Sequence, residues 1–156
     1  RSLFLANRTR TAASPLDTIA AEEASLLEIK LYDNTGKEQS LRQAAADNRV
    51  VLLNFTVYEA EASPAYNAEL NRLYTAYNPK GLEIYQISFD DNEYRWRSSA
   101  KNLPWVTVYN SSADGLDNLL RYNVGSLPAL FVIVDGEIRE RVTDASKIEQ
   151  TLRKYL

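Results

Sequence analysis

Apolar and polar positions along the chain form two kinds of pattern, one typical of strands and one typical of helices. Residues 50–55, VVLLNF, form an apolar run rich in β-branched residues, which predicts a strand buried on both faces. Residues 63–77 instead place apolar side chains about every 3.6 positions, which predicts an amphipathic helix. Because a Ser-Pro pair opens this helix and an Asn-Pro-Lys-Gly string follows it, its ends are also predicted.

The same patterns recur on both sides of this central strand and helix. Residues 1–25 are predicted to form a linker or N-terminal helical arm, and residues 26–156 a single domain. The further predicted strands are residues 26–32 and 37–41, joined by a turn at DNTG, and residues 82–89, 103–108, 129–134 and 137–142. The further predicted helical segments are residues 44–48, 93–101, 116–122 and a last helix that starts after Asp144 or Ser146. Helices that separate strands imply parallel pairing, so we expect a mixed α/β sheet with helices on both faces.

The composition excludes most of the catalytic chemistry that α/β proteins use. The 156-residue chain contains no cysteine and no histidine. It therefore has no disulfide, no thiolate nucleophile, no Ser-His-Asp triad and no conventional zinc site. Asp90, Asp91 and Glu93 could bind a hard cation through oxygen ligands, but the spacing of a calcium loop is absent. Residues 90–92 are instead interpreted as the end of a strand and the cap of a helix that starts at Glu93. We predict no cofactor and no metal.

Charge and length give expectations about partners and context. The net charge of −3 gives no reason to expect nucleic acid or an anionic membrane as a partner. No apolar stretch of the sequence is long enough to span a bilayer. Since the chain starts at Arg1 and contains no methionine, we expect a fragment of a longer precursor. An upstream domain, a signal peptide or a lipid anchor would then lie outside this sequence.

The order of the elements, together with several local strings, resembles the thioredoxin-like fold. These strings are VVLLNF at residues 50–55, LNRLY at 70–74, KGLEI at 80–84, YNVGSLPA at 122–129 and the DG turn at 135–136. Within that fold, the chain is most similar to envelope-anchored thiol–disulfide oxidoreductases and to alkyl hydroperoxide reductase/thiol-specific antioxidant proteins. The resemblance covers residues 26–156. It implies a three-layer sandwich with an N-terminal β-hairpin, and a location in the bacterial cell envelope or periplasm.

Members of that family carry a Cys-x-x-Cys motif where the first core strand leads into its helix. An ungapped comparison from Asn54 to Leu70 places the two cysteine positions at Ala60 and Ser63. The tryptophan that precedes the first cysteine in the family is Glu59 here, and the buried carboxylate of some relatives is Asn54. The resemblance thus implies a retained framework in which every redox residue is replaced.

The resemblance also implies a groove beside the replaced motif. Pro128 matches the family's cis-proline, whose loop faces the motif and offers backbone groups to an extended peptide or protein. Tyr58, Trp96 and Trp105 are expected by default in the core or an interface. Of the three, Tyr58 is the preferred surface candidate because it follows the strand directly. Glu59 and Glu61 are interpreted as solvated charges near the positive end of a helix rather than as an acid/base pair. The candidate groove residues are Tyr58, Glu59, Glu61, Leu127 and Pro128.

Three functions remain compatible with these residues. The first is a redox-inactive binding or accessory module that uses the inherited groove. The second is an oxidoreductase-family protein whose redox cysteines lie outside this fragment or in a partner. The third is a structural domain appended to another module. We favour the first, because thiol–disulfide exchange requires a thiolate that this chain does not contain.

Overall fold

The structure, a computed structural model, describes residues 26–60 and 63–156, which fold around a seven-stranded mixed sheet. The strands are β1 (Lys30–Asp33), β2 (Glu38–Ser40), β3 (Val50–Thr56), β4 (Leu82–Ser88), β5 (Val106–Tyr109), β6 (Ala129–Val134) and β7 (Glu137–Val142). The helices are α1 (Leu41–Asp47), α2 (Ser63–Tyr77), α3 (Glu93–Ala100), α4 (Asp117–Arg121) and α5 (Ile148–Tyr155). Short 3-10 helices lie at Asn78–Lys80, Ser112–Asp114 and Ala145–Lys147. The arm predicted at residues 1–25 lies outside the described residues.

The strands follow the spatial order β2-β1-β5-β4-β3-β6-β7. The neighbours β3, β4 and β5 pair in parallel, whereas β6 runs antiparallel to β3 with Ala129 opposite Phe55. The carboxyl ends of the three parallel strands therefore share one edge of the sheet with the first residues of β6. This edge, termed the carboxyl edge below, is where open α/β sheets usually place their ligands.

Apolar side chains cover both faces of the sheet. Every residue of β3 is buried, as its unbroken apolar run predicts. Alternate β3 residues pack on opposite faces, because side chains alternate along a strand. One face of β3 packs against α1 and the segment before β1. The residues in this cluster include Val51, Leu53 and Phe55 of β3, Leu41 and Ala45 of α1, and Leu26, Leu27 and Ile29. On the other face Val50 and Leu52 pack with Leu70 and Leu73 of α2 and with Ile148 and Leu152 of α5.

The predicted thioredoxin-like architecture and its N-terminal hairpin are confirmed, and the differences concern boundaries. Leu26, Leu27 and Ile29 are buried but are not part of a strand. Strand β5 starts at Val106 rather than at residue 103, because the Leu103 amide closes the preceding turn by donating to Ala100. Helix α1 starts earlier than predicted, since the Ser40 hydroxyl accepts from the Gln43 amide and caps it.

Across residues 26–60 and 63–156, no helix combines the length and the hydrophobicity that crossing a bilayer requires.

Candidate functional site

The segment predicted to replace the motif lies at the carboxyl edge of the sheet. Strand β3 ends at Thr56, residues 57–60 form a turn, and α2 begins at Ser63. The Leu127–Pro128 peptide bond is cis, as the resemblance implies. Since β6 starts at the next residue and pairs with the end of β3, Pro128 lies at the same edge as this turn.

Ala60 and Ser63 are brought together by a hydrogen bond from the Ser63 amide to the Ala60 carbonyl, 3.0 Å long. Ala60 is exposed and offers only a methyl group. Ser63 is buried, and its hydroxyl donates to the carbonyl of Val57. A hydroxyl that is held by the backbone, in a chain without histidine, lacks the base that activates a nucleophilic serine.

Of the two glutamates in the predicted groove, Glu59 is among the described residues. Glu59 is exposed, and its carboxylate accepts from the Arg95 guanidinium of α3 at 2.6 Å. This is a surface ion pair, which agrees with the interpretation of Glu59 as a solvated charge. Glu61 lies outside the described residues.

Tyr58 corrects a prediction, because its side chain is buried with only 9% exposed. Its ring packs beneath α3 with Trp96 and Ala100. Its hydroxyl contacts Gln86 Oε1 at 2.7 Å and Thr107 Oγ1, and burial raises the pKa of the phenol. The position of Tyr58 after a strand did not indicate which way its side chain points. Its polar partners come from the neighbouring strands β4 and β5. Tyr58 therefore packs inside the protein at the carboxyl edge rather than lining its surface.

Gln86 is the centre of a buried amide network under the turn. Its Nε2 donates to Asn54 Oδ1 at 2.8 Å and to Asn67 Oδ1 at 2.9 Å. Its Oε1 accepts from Tyr58 and from the Trp105 indole at 2.9 Å. Asn54, the residue in place of a carboxylate, donates onward to the carbonyl of Ala129 at 3.0 Å. The network joins β3, β4, β6 and α2 through neutral groups, so it fixes the edge without supplying an acid or a base.

Asp90 holds the turn itself, a role that the sequence did not reveal. Its carboxylate accepts from the amides of Tyr58 at 2.8 Å and Glu59 at 3.1 Å, and also from the Ser88 hydroxyl. The residue is only 3% exposed. The signal that could have indicated this role is a carboxylate at the carboxyl end of the strand next to β3. The predicted cap is present, since Asn92 Oδ1 accepts from the Arg95 amide at the start of α3.

The site can therefore present a fixed surface but offers no reactive group in the positions described. Among residues 26–60 and 63–156, no three histidine, cysteine or acidic residues are grouped as metal ligands. Beside the turn, Glu59, Ala60 and Pro128 are exposed and Leu127 is half-buried.

Comparison with known proteins agrees with this fold. A thioredoxin-like family model matches residues 48–138. The solution structure of an uncharacterized thioredoxin-like protein from Bacteroides vulgatus shares 38% sequence identity over 81% of this chain and 85% of that one, with a TM-score of 0.67. No curated protein matches significantly.

Two oxidoreductase structures are similar at lower identity. The thioredoxin domain of a thiol-disulfide oxidoreductase from Bacteroides vulgatus is 23% identical, covers 81% of this chain and 91% of that one, and has a TM-score of 0.73. A thiol-disulfide oxidoreductase from Bacteroides fragilis is 25% identical, covers 82% and 96%, and has a TM-score of 0.72. With most of its length matched and its cysteine positions replaced, the chain belongs to the thioredoxin-like family as a member without cysteine.

Proposed function

We propose that this domain is a redox-inactive thioredoxin-like module that binds an extended polypeptide across the carboxyl edge of its sheet. The observation that carries the proposal is the fixed turn of residues 57–60, which contains no reactive group. Asp90 and the amide network hold this turn with buried hydrogen bonds. Buried polar groups are costly unless they are fully paired, so such a network favours a single defined surface.

The exposed backbone beside the turn supports binding by strand addition. In the described part of the chain, the N–H and C=O groups of Leu127 form no hydrogen bond within the protein. Exposed Pro128 follows, and exposed Ala60 lies on the turn at the same edge. Unpaired backbone groups at an accessible edge are what an added peptide strand uses for its main-chain hydrogen bonds.

The absence of redox activity has a direct test. Thiol–disulfide exchange requires attack by a thiolate, and the chain has no cysteine. The purified protein should leave the reduction of insulin by dithiothreitol at its uncatalysed rate. A dose-dependent acceleration would contradict the redox-inactive part of the proposal.

Binding is tested with reduced, carboxymethylated α-lactalbumin, an unfolded polypeptide without free thiols. We expect Ala60→Arg to weaken this binding by about tenfold, or roughly 1.4 kcal/mol, because a long side chain would cover the edge. Ala46→Arg is the matched control. Ala46 is also an exposed alanine, but it lies near the end of α1, which leads into the amino end of β3, whereas the turn follows the carboxyl end of β3. Equal affinity of the two variants, or no binding by the wild-type protein, would refute the proposed function.

We further propose a location in the bacterial cell envelope, supported by the resemblance to envelope-anchored oxidoreductases. The test is protease accessibility in cells that express the natural protein. Digestion after permeabilising only the outer membrane would support this location. Protection until the inner membrane is lysed would contradict it.

A further inference from the structure

A recess adjoins the carboxyl edge between the ends of β4 and β5 and the start of α4. It encloses about 420 Å³ and is termed the Phe89 pocket. The residues that matter for its chemistry are Phe89, Asp91, Tyr109, Asn110, Leu116 and Leu119. The volume falls in the range of about 300–1,000 Å³ that is usual for ligand pockets.

The Phe89 pocket lies along the same edge of the sheet as the proposed polypeptide site. The Phe89 amide donates to the Thr56 carbonyl at 2.9 Å, and the Asn110 amide donates to the Ser88 carbonyl at 2.9 Å. The ends of β6, β3, β4 and β5 thus follow one another along the edge. Three strand spacings of about 4.8 Å give a span of roughly 14 Å, which an extended peptide covers with about four or five residues. A polypeptide that binds beside Pro128 and continues along the edge therefore reaches the pocket.

One wall of the pocket is apolar. The half-buried ring of Phe89 stacks on buried Phe55 with the ring centroids 6.0 Å apart, and Leu119 packs against the same core. Leu116 stands at the mouth with 63% of its surface exposed. An apolar side chain inserted here would remove both its own surface and that of Leu116 from water.

The rim of the pocket is acidic. Asp91 is exposed, and within residues 26–60 and 63–156 it forms no hydrogen bond or ion pair. Burial raises the pKa of Tyr109, and the charges of Glu93, Asp90 and Asp91 raise it further. Glu93 is paired with Arg97, and Asp90 is buried, so Asp91 is the carboxylate at this rim that favours a cationic group on the partner.

We infer that the Phe89 pocket accepts a large apolar side chain of the bound polypeptide, with an adjacent lysine or arginine facing Asp91. The inference rests on the proposed function, because the polypeptide must follow the carboxyl edge to reach this pocket. It adds the class of partner, a segment in which a bulky apolar residue neighbours a basic one. The net charge of −3 acts in the same direction over longer distances.

The experiment measures the anisotropy of three fluorescein-labelled peptides with the full chain. The first places a Phe-Lys pair in the middle of an extended Gly-Ser peptide. The other two replace the phenylalanine by alanine or the lysine by glutamate. We expect each replacement to weaken binding by about tenfold, and the penalty for glutamate to shrink at high salt.

Matched variants assign the contacts. Leu116→Ser should weaken binding of the Phe-Lys peptide about tenfold, whereas Leu120→Ser should leave it unchanged, since Leu120 is 69% exposed but lies outside the pocket. Asp91→Asn should likewise weaken binding, and Asp117→Asn, another exposed aspartate, should not. Equal effects within either pair would overturn the inference.

The outcomes separate this inference from the proposed function. If Ala60→Arg weakens all three peptides equally and the peptides do not differ, the edge binds polypeptides but the Phe89 pocket is not a subsite. If neither the peptides nor carboxymethylated α-lactalbumin binds, the proposed function fails and the inference fails with it.

The chain itself contains a segment of the same chemistry, which the test must distinguish from an external partner. Residues 1–10, RSLFLANRTR, carry apolar residues between arginines. Phe4→Ser in the full chain should leave binding of the Phe-Lys peptide unchanged. Binding that becomes about tenfold tighter would assign the pocket to this segment and overturn the inference of an external partner.

Discussion

Replacing Asp90 by asparagine tests whether this carboxylate holds the turn of residues 57–60. Asp90 uses one oxygen to accept from the Tyr58 amide and the other to accept from the Glu59 amide. Asparagine has the same shape but only one acceptor oxygen, and its amino group would face the second backbone N–H. One of the two amides therefore loses its acceptor whichever way the new side chain is turned.

The expected cost follows from the kind of hydrogen bond that is lost. Hydrogen bonds to charged groups contribute about 1.5–3 kcal/mol each, and the remaining bond to Asp90 becomes a neutral one. We therefore expect Asp90→Asn to lower the free energy of unfolding by about 2–4 kcal/mol. For a domain of this size, that corresponds to a decrease in Tm of roughly 5–15 °C.

The measurement is urea unfolding followed by tryptophan fluorescence, because Trp96 and Trp105 are buried and contact the polar network. Asp91→Asn is the control, since this exposed neighbour has the same chemistry without a partner in the described residues. The control should change the unfolding free energy by less than about 0.5 kcal/mol. If the two variants differ by less than that amount, Asp90 does not hold the turn and the reasoning is wrong.

Two further predictions concern the residues around the turn. Ala60→Cys combined with Ser63→Cys should form an intramolecular disulfide and gain weak reductase activity, because the Ser63 amide already closes a turn onto Ala60. Two free thiols in mass spectra after mild oxidation would disprove this prediction. Tyr58→Phe should cost only about 1–2 kcal/mol in urea unfolding, since Gln86 Oε1 and Thr107 Oγ1 each keep an indole donor; a loss as large as that of Asp90→Asn would contradict this pairing.

The parts of the fold that the sequence predicted are those that depend on local pattern. The apolar run of β3, the period of α2 and the Asp135-Gly136 turn each carry their information within a few residues. The position of Pro128 beside the replaced motif followed from the family resemblance. These features place the candidate site at the carboxyl edge of the sheet, where its binding role stays a prediction.

The parts that the sequence did not predict depend on which strands become neighbours. Asn54 lies opposite Gln86 because β3 and β4 pair in that register, and only this pairing creates the amide network. The direction of Tyr58 and the role of Asp90 depend on the same arrangement. A partial signal was present, since a polar amide inside an apolar strand must find a buried partner. That the partner of Asn54 is Gln86 follows only from the pairing register of β3 and β4.

The neutral composition of the amide network has a consequence for where the domain can operate. A thioredoxin-like protein with two cysteines exists in two covalent states, and its surface at the motif changes with the surrounding redox potential. This chain has a single covalent state at Ala60 and Ser63. Gln86 and Asn54 do not titrate, and burial keeps the Tyr58 phenol protonated well above neutral pH. Oxidising or reducing surroundings would thus leave the proposed binding surface covalently unaltered.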